Sequence, residues 1–70
     1  MYFYCYSIKL KDFLKMNGMR YLARRRHPNG NYYWIFEKGK KLDDVLALWD
    51  EYKEYFDYIL MVYHHIQDII

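Results

Sequence analysis

Residues 23–37, Ala-Arg-Arg-Arg-His-Pro-Asn-Gly-Asn-Tyr-Tyr-Trp-Ile-Phe-Glu, decide how this chain folds. Pro28-Asn29-Gly30-Asn31 is a turn signal, because proline pre-sets φ and both Asn and Gly tolerate positive φ. The runs on either side, Arg20 to Arg26 and Tyr32 to Glu37, have strand length, so the segment reads as a β-hairpin. Its two arms differ. Tyr32-Tyr33-Trp34-Ile35-Phe36 is apolar on both faces, as a central strand is, whereas Arg20, Arg24, Arg25 and Arg26 mark an edge strand protected by charge.

Toward the N-terminus, Tyr2-Phe3-Tyr4-Cys5-Tyr6 is a second aromatic run without a turn former and reads as a further strand. Ser7 is placed to cap a helix whose apolar positions are Ile8, Leu10, Phe13, Leu14 and Met16, and Asn17-Gly18 closes it. Toward the C-terminus, Lys38-Gly39-Lys40-Lys41 ends the strand pattern. Asp43 and Asp44 then suit the first turn of a helix that starts near Lys41. The expected order is β-α-β-β-α. With the third strand central, the chain is an α+β domain: a three-stranded sheet in the order 1-3-2, a right-handed crossover through the first helix, and both helices on one face. The opposite face would then display either Tyr2, Tyr4 and Tyr6 or Phe3 and Cys5, according to register.

From Leu42 onward the apolar residues Leu42, Val45, Trp49, Tyr52, Phe56, Ile59, Tyr63, Ile66 and Ile70 recur at alternating steps of three and four, a heptad pattern. One straight helix over residues 42–70 would be about 43 Å long, more than a head of residues 1–41 can cover. The C-terminal half is therefore expected to dimerise the protein through Phe56, Ile59, Leu60, Tyr63, Ile66 and Ile70. The alternative is a bend near Asp57-Tyr58 that folds the last helix back on its own domain.

Seventy residues make a single domain, and its net charge of +2 conceals a division. Residues 1–41 hold ten Lys and Arg against Asp12 and Glu37, a balance of +8; residues 42–70 hold Lys53 against seven carboxylates, a balance of −6. A basic head is joined to an acidic helix. The single cysteine, Cys5, cannot form an internal disulfide and reads as a small buried hydrophobe suited to a reducing interior. The start of the chain lacks the basic region of a signal peptide, and no apolar run reaches the length of a membrane span, so a cytoplasmic location and no membrane partner are expected.

There is no nucleophile motif, phosphate loop, carboxylate pair on a strand end or cofactor fingerprint, and the expectation is a protein without catalysis or cofactor. His64, His65 and Asp68 offer too few ligands in one chain for a metal site. The strongest candidate for a functional patch is basic: Arg24, Arg25 and Arg26 with Lys38, Lys40 and Lys41, interleaved with Tyr32 and Trp34. Cations of this kind contact phosphates while rings stack on bases. Strand alternation, however, sends Arg24 and Arg26 to one face and Arg25 to the other. The preferred reading is a dimeric protein-interaction module, with a dimeric nucleic-acid-binding protein as the alternative.

The segments Tyr4-Cys5-Tyr6-Ser7, Leu10 to Phe13-Leu14, Asn17-Gly18-Met19-Arg20-Tyr21, Asn29 to Glu37 and Leu42-Asp43-Asp44-Val45-Leu46 together resemble a family of small uncharacterised domains found in Gram-positive bacteria, their phages and mobile elements. The resemblance covers about two thirds of the chain, and the tail from Tyr52 is longer than the family pattern. It implies the same β-α-β-β-α order and assigns no activity. A phage setting implies a small accessory protein that binds a host protein, of the defence-inhibitor type.

Overall fold

The computed structural model describes the backbone of residues 1–69 and the side chains of residues 1–66. Its elements are β1 (Tyr2–Cys5), α1 (Ile8–Met16), β2 (Ala23–Arg26), β3 (Tyr32–Glu37), α2 (Lys40–Tyr52) and, after a 3-10 turn at Lys53–Tyr55, α3 (Phe56–Ile69). The sheet has the order β1-β3-β2, and both outer strands run antiparallel to β3. This is the α+β fold that the hairpin implied, with a long C-terminal helical stretch.

Local chemistry sets each boundary. The Ser7 hydroxyl accepts from the Leu10 N–H at 3.2 Å, which caps α1. Gly18, at φ +82°, lets the chain leave that helix through a left-handed turn in which the Met19 N–H returns to the Leu14 carbonyl. In the hairpin, the Asn31 N–H donates to Asn29 Oδ1 and the His27 N–H to the Asn31 carbonyl, around Gly30 at φ +93°. β2 is shorter than its sequence suggests. It begins at Ala23, because Tyr21 leaves strand geometry to set its ring edge-on to Phe36, centroids 6.2 Å apart.

The pleat divides the residues as period two requires. Phe3, Cys5, Trp34 and Phe36 face the helices and join Phe13, Leu14, Leu42, Val45 and Phe56 in one core. Among the described residues no polar or charged side chain is buried. Cys5 sits there with its Sγ donating to the Ser7 carbonyl at 3.3 Å, and burial pushes its thiol pKa up.

The heptad seam does not continue as one rod. The molecule is 36 Å along its longest axis, shorter than the straight helix of about 43 Å that the pattern allowed. Three residues wound at 120° instead of 100° turn the following helix by about 60°. That rotation lets Phe56 enter the core, where its ring meets Phe13 at 5.9 Å and Trp49 at 5.2 Å. α3 is then held against α1, with Lys9 Nζ paired to Asp57 at 2.9 Å. The break falls at Lys53–Tyr55, just before the expected bend at Asp57-Tyr58. Phe56, which was expected at a contact with a second subunit, is therefore covered inside one chain.

Candidate functional site

β1 and β3 build an open face on the side of the sheet away from the helices. The pairs Tyr4 with Ile35 and Tyr2 with Glu37 lie on this face, since Phe3 with Phe36 and Cys5 with Trp34 take the other. Tyr2, Tyr4 and Tyr6 are 56%, 52% and 61% exposed. Tyr33 stands among them, edge-on to Tyr4 at 6.1 Å and tilted against Tyr6 at 5.2 Å. From β2, Ala23 and Arg25 complete the face opposite Ile35 and Tyr33. The result is an aromatic surface that carries one guanidinium, Arg25, and one carboxylate, Glu37. Tyrosine rings in such a setting offer apolar contact area and hydroxyls that remain compatible with water.

The basic residues are not brought together. Arg24 and Arg26 point to the helix side, where their guanidiniums lie 4.5 Å and 5.9 Å from the centroid of Tyr32. Arg26 Nε also donates to the Gly30 carbonyl at 3.3 Å. Lys38, Lys40 and Lys41 follow the opposite end of β3, a full strand length from the hairpin turn. Lys40 is further engaged with Asp44 at 2.9 Å, and that hydrogen bond raises its pKa. Trp34 is corrected outright. It is 8% exposed and lies beneath Lys11 Nζ at 4.8 Å, so its ring is core and cannot stack on a bound base. The signal was present in the sequence, because Trp34 shares its side of β3 with Phe36.

No arginine forms an ion pair among the described residues. Between the hairpin turn and the start of α1 lies a cleft of ≈ 580 Å³ lined by Tyr6, Lys9, His27, Asn31 and Tyr32, among others. The His27 ring stands 6.4 Å from Tyr6.

Of the residues expected at a helix dimer interface, Phe56 is fully buried in its own chain and is unavailable to a second one. Leu60 packs partly against the same core and Ile59 is half-buried. Tyr63 and Ile66 are exposed, and Ile70 lies outside the described residues. The exposed apolar stripe instead follows Leu48, Tyr52, Tyr55, Tyr58, Val62 and Ile66. Tyr52 and Ile66 of this stripe already belong to the heptad pattern of the sequence. His64 lies beside Tyr63 at 5.8 Å; the Asp68 side chain is outside the described ones, and no group of three potential metal ligands occurs among those described. No helix among the described residues is long and apolar enough to cross a membrane.

No family model, curated protein or solved structure matches this chain.

Proposed function

We propose that this protein is a non-catalytic interaction module that binds another protein on the open face of its sheet. The observation that carries this reading is the tyrosine cluster of Tyr2, Tyr4, Tyr6 and Tyr33, which is backed by a packed core and left exposed at Tyr2, Tyr4 and Tyr6 among the described residues. A rigid sheet presenting rings with few rotatable bonds loses little entropy on docking. The face carries little charge, which suits a protein surface better than a phosphate chain. The resemblance to small phage-borne domains makes a host protein the partner class to test first.

A photo-cross-linking residue at position 33, expressed in the cells that carry the gene, is expected to give a discrete adduct whose mass is not a multiple of the chain's own. The same residue at position 50, on the outer side of α2, is expected to give none. Equal adducts from both positions, or none from position 33, would overturn the reading.

The second reading, binding of single-stranded nucleic acid through Arg24, Arg25 and Arg26, is favoured by the lack of ion pairs at those arginines.

A further inference from the structure

The two edges of the sheet are not alike, and the difference starts with which backbone groups point outward. In an antiparallel pair, successive residues turn their N–H and C=O alternately toward and away from the neighbouring strand. The Lys38 N–H donates to the Met1 carbonyl at 2.9 Å, which puts Met1, Phe3 and Cys5 in the phase that faces β3. A second observation fixes the same phase from the other side. The Ile35 carbonyl accepts the Leu22 N–H at 2.7 Å, so the backbone groups of Ile35 turn toward β2 and away from its β1 partner Tyr4. The N–H and C=O of Tyr2 and Tyr4 therefore project from the free edge of β1, and continuing the same alternation by one residue past the strand gives Tyr6 that phase as well.

Natural edge strands are usually guarded by lysine, proline, a bulge or an inward charge. β2 is guarded in this way by three consecutive arginines. β1 has none of these devices: Tyr2 to Tyr6 carry no charge and no proline, and the register with β3 runs without a bulge.

We propose that the free edge of β1 pairs with β1 of a second copy of this chain, antiparallel across a two-fold axis at Tyr4. In that register Tyr4 lies opposite Tyr4 of the second copy, and Tyr2 lies opposite its Tyr6. All these residues are in the outward phase, so each can donate and accept a backbone hydrogen bond across the axis. A two-fold contact needs a surface complementary to itself, and an uncharged strand with tyrosine opposite tyrosine meets that need. The β2 edge does not, because self-pairing would set arginine against arginine. The assembly therefore closes as a dimer instead of growing strand by strand. It joins two sheets into one of six strands, with both helix layers on the same side and both tyrosine clusters on the other. This pairing does not depend on the sheet face binding a partner.

Light scattering after size exclusion, together with amide hydrogen exchange, tests it on the full chain. The expected mass is twice the 8.9 kDa of one chain, with slowed exchange at Tyr2, Tyr4 and Tyr6. Tyr4→Lys places like charges across the axis and is expected to give the mass of one chain with an unchanged far-UV spectrum. Tyr4→Pro removes only an outward N–H, which an edge strand tolerates, and carries the test if the lysine variant fails to fold. Met61→Lys, on the exposed side of α3, is expected to leave the dimer intact. A wild-type mass of one chain overturns the proposal. So does a dimer that survives Tyr4→Lys and separates in Met61→Lys, which would put the interface on α3.

Discussion

A thiol held away from water behaves differently from one in an unfolded chain, and Cys5 makes that difference measurable. It is 1% exposed, and burial raises its pKa above the ordinary value of 9.0. The folded protein therefore keeps the proton at pH values where the unfolded chain has released it. The stabilising contribution is complete below that ordinary value and is lost as pH climbs toward the folded pKa. Urea denaturation from neutral pH to about pH 10 is expected to show wild type losing its advantage over Cys5→Ala as pH rises past the ordinary thiol range. An advantage that stays constant across that range would mean the thiol is not shielded. Alternation separated Phe3 and Cys5 from Tyr2 and Tyr4 but left open which pair faces the helices; the register with β3, which sets Phe3 against Phe36 and Cys5 against Trp34, decides it. Trp34 differs from its expected place in an exposed patch because it shares its side of β3 with Phe36 and lies opposite Cys5, which puts its ring in the core.

At the scale of elements, the hairpin was easy to read and the long helix was not. β3 had to be central because it is apolar on both sides, and β2 had to be an edge because it is charged; strand order followed from that contrast. The helix contains no glycine or proline between Lys40 and Ile69 to announce a break. The spacing from Trp49 to Phe56 also satisfies a heptad. What decides the break is tertiary: Phe56 gains more by entering the gap beside Phe13 and Trp49 than α-helical geometry loses in one 3-10 turn. Phe56→Ala is accordingly expected to destabilise the fold by about 3–5 kcal/mol, read as a lower urea midpoint. If Phe56 belonged to a subunit interface, the same change would lower the association constant and leave the stability of the single chain intact.

Across the whole molecule the charges divide along the chain: ten of the eleven Lys and Arg lie at or before Lys41, in the first turn of α2, and seven of the nine carboxylates lie beyond it. Among the described residues Lys9 with Asp57 and Lys40 with Asp44 join these halves, and all four partners are exposed, so the pairs contribute little to stability. The arginines of β2 are exposed and, among the described residues, form no ion pair, with Arg24 and Arg26 lying over Tyr32. This arrangement makes the nucleic-acid reading decidable. Titration of a labelled single-stranded oligonucleotide over a salt series is expected to show weak association that changes little when Arg24, Arg25 and Arg26 are all replaced by Glu. Binding that falls steeply with salt and disappears in that variant would favour phosphate recognition over protein docking. The two tryptophans offer a separate readout. Trp34 lies in the sheet beneath Lys11, while Trp49 touches both Phe13 and Phe56 at the joint between α2 and α3. Lifting α3 from α1 would wet the second indole and leave the first dry. The protein thus contains its own optical gauge, in which a red shift confined to Trp49 emission would report the joint opening while the sheet stays closed.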